Sequence, residues 1–405
     1  MSMNLVIGGG PAGYFAAIAA GAGPGGRPVV LLEKHGQVLR KVKISGGGRC
    51  NVTHRALPPR QLARFYPRGG RELIGPLTRF GPAETVAWFA ARGVTLKTED
   101  DGRLFPVSDD ALTIVHTLQE AARAAGVTVR TRCGVTALER EGAGFRALLA
   151  DGTALQAAKV LIATGGATGG GTDGFALAAG LGHTVQTPVP SLFTFKIADP
   201  LLAGLPGLAT EATVKLSKKR QETGPVLITH WGLSGPAILR LSAWGARELA
   251  AVDYRFPLRV DWCPALERDQ LDGLLTVRAE EHGRKQVAQR PEIGVPRRLW
   301  EALLAALGIP RAKRWAELGK KNRQRLLEKL KNTELEVEGK SLNKEEFVTC
   351  GGVKLAEVDF RTMQSKRVPG LFFAGEVLDI DGVTGGFNFQ SCWTTGALAG
   401  EGMGQ

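Results

Sequence analysis

Gly8, Gly10 and Gly13 stand in a G-x-G-x-x-G spacing, with Pro11 and Ala12 between the last two, directly after the apolar run Asn4–Ile7. An alanine-rich helical stretch follows, and a second β-type run, Val29–Leu32, ends on an acid, Glu33. Strand, glycine turn, helix, strand and an acid about 20 residues past the last glycine are the ingredients of a dinucleotide-binding unit. The first glycine permits the tight turn, the second lets backbone approach a pyrophosphate, and the third lets helix and strand pack closely. The helix N-terminus offers N–H groups to phosphate, and Glu33 can accept hydrogen bonds from a ribose.

Three further clusters carry chemistry. Lys43, Ser45, Gly46, Gly47, Gly48, Arg49, Cys50 and Asn51 form a donor-rich stretch around three glycines, which reads as a loop wrapping a flat or phosphorylated ligand. Cys50 is a lone thiol, better read as a small packed residue than as a nucleophile. Val160–Ile162 reads as a buried strand that returns beside the first and runs into Ala163-Thr164-Gly165-Gly166. Residues 169–174 spell G-x-G-x-x-G again, but no acid closes a strand at the required distance, so they do not qualify as a nicotinamide-binding unit. Near the end, Gly375-Glu376 closes an apolar run, and Asp379, Asp381, Gly385, Gly386, Phe387 and Asn388 lead into a last helix of small residues.

The elements that must position these clusters lie at the two ends of the chain. The dinucleotide-binding domain is therefore read as discontinuous, residues 1–190 and 348–405, around an insertion over 191–347. The insertion opens with β-type runs, Phe193–Ile197, Ala212–Leu216 and Val226–His230, in an antiparallel, β-rich part over 191–275. Ser234 is placed to cap a helix that has Pro236 in its first turn. His230, at a strand end, is assigned to hydrogen-bonding that turn, with substrate contact as the alternative. The part over 276–347 is helical and basic: residues 281–331 hold 14 Lys+Arg against 5 Glu.

The 405 residues are enough for more than one domain, and 22% charged with 43% hydrophobic content excludes a disordered chain. Five scattered cysteines without C-x-x-C spacing argue against a disulfide framework, a structural zinc site or thiol–disulfide electron transfer, so no metal is expected. The glycine-rich run Leu5–Ala20 lacks a basic start, no other stretch approaches a membrane span, and a cytoplasmic, non-membrane protein is the expectation. A net charge of +13 favours a polyanionic partner.

The motifs GGGPAG, KxSGGGRCNxT, ATGG, THxGLSGP and GLFFAGEVLDIDGxTGGFNxQ together resemble the HI0933-like (YhiN/BaiN) flavoproteins over nearly the whole chain. The resemblance implies an α/β protein: a discontinuous Rossmann-like domain binding FAD non-covalently, with an inserted β-barrel-like plus helical domain. Its cofactor positions fall on Gly8, Gly10, Pro11, Ala12, Gly13, Glu33, Lys34, Lys43, Ser45, Gly46, Gly47, Arg49, Cys50, Asn51, Ala163, Thr164, Gly165, Gly375, Glu376, Asp379, Gly385, Gly386, Phe387 and Asn388. Val135, in a predicted strand, would meet the adenine through its backbone. Glu376 takes the place of the acid on the ribityl chain, and the Gly385-Gly386 turn opens a helix whose N–H groups can face the flavin C2 carbonyl.

The chain departs from the family at His54, where Asn is usual, and in a shorter loop over Ala167–Gly171. The family further implies an NAD(P)H-linked reductase of a carbon–carbon double bond, acting on a small molecule or on uridine in structured RNA. An amine oxidase or a flavin-bearing sensor are the alternatives. Cys50, His230 and Asp381 are candidate proton donors by residue type alone.

Overall fold

Strand β1 (Met3–Ile7) lies between two parallel neighbours, so both its edges are hydrogen-bonded, and Leu5 and Val6 have no exposed surface. In the computed structural model, which describes residues 3–167, 173–341 and 348–405, β2 (Val29–Leu32) pairs with β1 at Val6↔Leu31. The strand Ala154–Ile162 pairs on the other side at Val6↔Leu161. Leu371–Phe373 and Thr128–Arg130 extend the parallel order outward on either side. Such strands read as continuous apolar runs because helices cover both faces.

The chain divides into two compact units, Met1–Ser191 with Asn343–Gln405, and Leu192–Leu342. In the first, helix α1 (Pro11–Gly21) lies against the last helix, Phe387–Gly404. Glycine permits that close approach: a Cβ at Gly396 would meet Ala12 O at 2.6 Å, and one at Gly400 would meet Ala16 O at 2.4 Å. The strand Val185–Ser191 pairs antiparallel with Val348–Val353, which belongs to the same unit.

The donor-rich stretch expected as a loop is in part helical. Helix α2 spans Arg40–Gly48, broken at Ser45 (ψ 153°), Gly46 (φ 58°) and Gly47 (φ 69°), with Val42 fully buried. The backbone leaves the helix where consecutive glycines make left-handed conformations accessible. The repeated glycine motif at 169–174 and the shortened loop at 167–171 fall largely outside the described residues.

The second unit holds a seven-stranded antiparallel sheet in the order 333–337, 256–261, 209–217, 220–229, 232–234, 194–196, 339–341. Its two outermost strands, Thr333–Val337 and Gly339–Ser341, are consecutive in the chain with only Glu338 between them. A one-residue link cannot span an open sheet, so the sheet curls into a barrel-like form. Helices Arg268–Glu281, Arg297–Ala306 and Gly319–Lys331 make the helical part. Ser234 does not cap the helix Pro236–Trp244. Gly235 does, at φ 96°, where a Cβ would meet Pro225 O at 2.8 Å, while Ser234 stays in a strand with its Oγ 3.0 Å from Thr194 Oγ1.

Candidate functional site

The three glycines of the first turn have different causes. At Gly8 (φ 116°) a Cβ would lie 2.4 Å from Ala163 O, and at Gly13 one would lie 2.0 Å from Gly8 O, so packing within the protein demands both. Gly10 has an ordinary φ of −87°, and a Cβ there would meet nothing within 4 Å. Packing within the protein therefore makes no demand for glycine at this position. Beside it the Glu33 carboxylate accepts from Gly9 N at 2.9 Å and from His35 N at 2.8 Å, which aims it at the turn. This cradle suits a pyrophosphate and a ribose.

Glu376 lies in the turn Gly375–Val377, mostly buried. Its carboxylate accepts from Lys41 Nζ at 2.5 Å, from Thr349 N at 2.8 Å and from Gly166 N at 3.3 Å. Glu376 thus joins the strand end Ala163–Gly166, α2 and the strand Val348–Val353 at one point. Lys34 pairs with Asp173 at 2.8 Å, and Val135 is buried at the start of the strand Val135–Glu141.

The segment Asp379–Asn388 is a clamped turn. Asn388 donates to Gly382 O and accepts from Gly382 N, each at 2.8 Å. Gly385 (φ 131°) and Gly386 (φ 89°) then swing the backbone into the last helix, so the N-terminus of an 18-residue helix faces the site. Asn51 ties this turn to the loop after α2, its Oδ1 accepting from Gly386 N at 2.9 Å and its Nδ2 donating to Thr53 O at 3.0 Å. Behind them Gln390 is buried with every amide atom used: Oε1 accepts from Thr53 and Thr85, and Nε2 donates to Thr394 Oγ1 and Phe80 O.

Several expected residues have protein partners of their own. Arg49 pairs with Glu99 at 2.7 Å and lies 4.1 Å over the Phe105 ring. Lys43 is exposed and lines a cavity of about 520 Å³ together with Tyr14, Val38, Gln119 and Arg123. Its neighbour Lys41, which sequence reasoning passes over, holds Glu376 instead. His54 is buried and stacked on Phe387, ring centroids 4.9 Å apart, and burial lowers its pKa below the ordinary imidazole value.

The candidate proton donors stand apart in character. Cys50 is fully buried at a left-handed φ of 61°, and burial pushes its thiol up to about 12, so it is a neutral packed group at physiological pH. His230 is exposed in the other unit. Its turn is held by Thr229, whose Oγ1 donates to Gly232 O and accepts from Trp231 N, both at 3.2 Å, rather than by the imidazole. Asp381 is completely buried and paired with Arg68. By residue type alone, Arg68 groups with the surface cations Arg60, Arg64 and Arg71. Among the described residues no group of three or more His, Cys, Asp or Glu could hold a metal ion.

A parallel sheet with the glycine turn at its carboxyl edge, an acid just past the second strand and a helix N-terminus aimed at the same edge define a dinucleotide-binding protein of Rossmann type, the architecture used by FAD-dependent oxidoreductases. The model of the HI0933-like protein Rossmann domain matches residues 2–402, and the chain belongs to that family. It is 32% identical to a 3-dehydro-bile acid delta(4,6)-reductase of Clostridium scindens, covering 98% of this chain and 97% of that one. It is 30% identical to a ribosomal RNA dihydrouridine synthase of Escherichia coli, covering 96% and 95%. Among solved structures it shares its fold with the 3-ketosteroid delta1-dehydrogenase of Sterolibacterium denitrificans, at TM-score 0.54 and 14% identity over 100% of this chain and 99% of that one.

Proposed function

We propose that the protein is an NAD(P)H-linked reductase of a carbon–carbon double bond conjugated to a carbonyl, that its substrate is a uridine in ribosomal RNA, and that it works in the cytoplasm. Bound FAD supplies hydride transfer at its N5. Gly8, Gly10 and the first turn of α1 would take the pyrophosphate, Glu33 and Lys34 the adenosine ribose, and the backbone at Val135 the adenine. Glu376, steadied by Lys41, would take the ribityl chain. Asn51, Gly385 and Gly386 would present the last helix to the pyrimidine end of the isoalloxazine, where N–H groups stabilise negative charge. Ser45, Gly46, Gly47, Asp379, Phe387 and Asn388 would line the same cleft, while Lys43 lies on the Tyr14 side of α2.

The observation that carries the cofactor reading is Gly10, whose empty side is needed by no protein atom. Support for RNA comes from the relative that modifies ribosomal RNA and from Lys320 and Lys321, which stand exposed on the helix Gly319–Lys331. Among the described residues no helix is long and apolar enough to cross a membrane. The bile acid reductase among the relatives favours a second reading, a small unsaturated ketone as substrate. An anaerobic experiment separates them. The holoenzyme is reduced with NADPH or NADH and mixed with unmodified ribosomal RNA or with 2-cyclohexenone. Return of the oxidised flavin spectrum with RNA, and dihydrouridine in the digested product, is expected. Return with the enone alone leaves the small-molecule reading, and return with neither removes both.

A further inference from the structure

Lys41 and Lys43 point about 200° apart on α2, so the cavity of about 520 Å³ that Lys43 lines is on the side of the helix away from Glu376. Its walls come from α1, α2, the loop 36–38, the helix Ala111–Ala124 and the strand Thr128–Arg130 at the edge of the parallel sheet. All of these belong to the first compact unit. Gly8, Gly10, Glu33, Lys34, Val135 and Glu376 are not among its lining residues, so it is separate from the cleft that suits FAD.

The floor of this cavity is buried and its rim is open. Tyr14 is 2% exposed and Val115 8%, whereas Lys43, Gln37, Gln119 and Arg123 are exposed. Val38, Leu112, Val127 and Val129 add apolar wall, and Val129 is left 37% exposed. The lining holds two cations and no carboxylate, and among the described residues neither Lys43 nor Arg123 has an ion-pair partner. Burial, and then the Glu33 carboxylate, push the Tyr14 hydroxyl up to about 12, so it stays protonated and can donate, and the Gln119 side chain stands beside it. A volume of this size is that of a small-molecule site, where apolar walls hold the body of a ligand and a few polar groups orient it. Two uncompensated cations at the rim select an anion. A glutamine amide sets a donor beside an acceptor, the pattern that matches one edge of adenine.

We propose that this cavity is a second ligand site and binds an adenine mononucleotide, with the base between the valine walls and the Gln119 amide, and the phosphate on Lys43 and Arg123. The nucleotide is either free or the adenosine end of NAD(P)H, and the chemistry of recognition is the same for both. Binding here does not depend on which double bond the protein reduces. The site shares its elements with the cofactor cleft. Tyr14 follows directly on Gly13 in α1, Val38 Cγ1 would lie 2.9 Å from a Cβ at Gly9, and Lys43 is carried by the helix whose Lys41 holds Glu376. A nucleotide in the cavity braces α1 and α2 from behind, and it binds only the folded chain, so it should raise the temperature at which FAD is released.

The test is calorimetry on the FAD-saturated holoenzyme with adenosine monophosphate, and with adenosine and inorganic phosphate as probes of its two halves. One adenosine monophosphate per chain is expected, and each half alone should bind more weakly by about tenfold or more, since it makes only part of the contacts. Arg123→Glu should lower the affinity about tenfold or more, the scale of losing a charge-assisted hydrogen bond, and Arg123→Lys should keep most of it. Val129→Trp fills the cavity from an edge strand that accepts aromatic residues and should abolish binding. Both positions are exposed, so the variants should fold and keep parent FAD content. Absence of binding to the FAD-loaded parent overturns the proposal, and so does binding that is equally tight in Arg123→Glu and Val129→Trp. Equal affinity for inorganic phosphate and adenosine monophosphate overturns it as well, because it leaves an anion site without a place for the base. Where binding is lost in both variants, the rate of flavin reduction by NAD(P)H identifies the source. A parent rate supports a free nucleotide, and a rate that falls together with the affinity supports the adenosine end of the electron donor.

Discussion

Asn51 accepts a hydrogen bond from the backbone N–H of Gly386 at 2.9 Å while donating to Thr53 O at 3.0 Å. One amide thereby fixes the segment after α2 to the N-cap residue of the last helix. Asn51→Leu leaves a buried N–H and a carbonyl without partners and should destabilise the protein by about 2–3 kcal/mol. Asn51→Asp can still accept from Gly386 but sets a second acceptor against Thr53 O, so it should recover only part of that loss. Chemical denaturation of both variants, with FAD content measured alongside, checks the order. Equal stability of Leu and Asp variants would show that the Gly386 bond carries none of the effect.

The glycine turn gives a sharper contrast. A Cβ at Gly10 would meet no protein atom within 4 Å and the φ there is permissive, so Gly10→Val should fold with a melting temperature close to that of parent apoprotein and yet hold no flavin. Gly13→Ala puts a methyl 2.0 Å from Gly8 O and should cost about 3 kcal/mol or more, because backbone must move. Chromatography of flavin released from the parent should give FAD and not FMN. A yellow Gly10→Val protein would disprove the pyrophosphate assignment.

Burial raises the thiols of Cys50 and Cys392 to about 12 and that of Cys263 to about 11. The folded chain therefore keeps protons that the unfolded chain loses above its ordinary thiol pKa of about 8.5. Stability from these neutral thiols is complete below that pH and is lost as pH rises toward the folded values. Each thiol adds up to about 1.4 kcal/mol per pH unit to the decline. Cys50→Ala should make the alkaline decline shallower by about that amount, and denaturant titrations at a series of pH values measure it. The same variant should keep its FAD and its reduction by NAD(P)H. Loss of reduction with FAD still bound would return Cys50 to the chemistry.

The opening of the fold was legible because its signals are local. A buried strand shows as an unbroken apolar run, and the glycine spacing reports packing within a few residues. The pairing of Lys41 with Glu376 was not legible. Lys41 and Lys43 are alike in type, but residues two apart on a helix point about 200° apart, so α2 sends one to Glu376 and the other to the Tyr14 cavity. Arg68 is hidden for a related reason: its partner lies 313 residues away, and nothing near it in sequence separates a buried fork from a surface cation. At the helix Pro236–Trp244 the residue with capping chemistry, Ser234, gives way to Gly235 because the backbone there needs a positive φ more than a side-chain oxygen.

The basic stretch of the insertion is narrower as an RNA-binding surface than its composition suggests. Lys331 is tied to Asp261 at 2.6 Å and Arg311 to Glu301 at 2.7 Å, and Arg323 is only partly exposed. The helix Gly319–Lys331 buries Leu326, Leu327 and Leu330, and Lys320 and Lys321 stand exposed in its first turn. Reversing charge at these two should leave the helix folded, since neither packs against the core and an acid suits a helix N-terminus. RNA affinity should fall, and the dependence of log affinity on log salt should flatten by about 0.7 for each phosphate no longer neutralised, the single-strand value. FAD content, reduction by NAD(P)H and reoxidation by 2-cyclohexenone, if the parent shows it, should be unchanged. Titrations of a fluorescent ribosomal RNA fragment at several salt concentrations measure the slope. An unchanged slope in the Lys320→Glu, Lys321→Glu protein would place phosphate binding elsewhere than on this helix. Salt-insensitive or absent RNA binding by the parent would remove RNA as the substrate and leave the small unsaturated ketone.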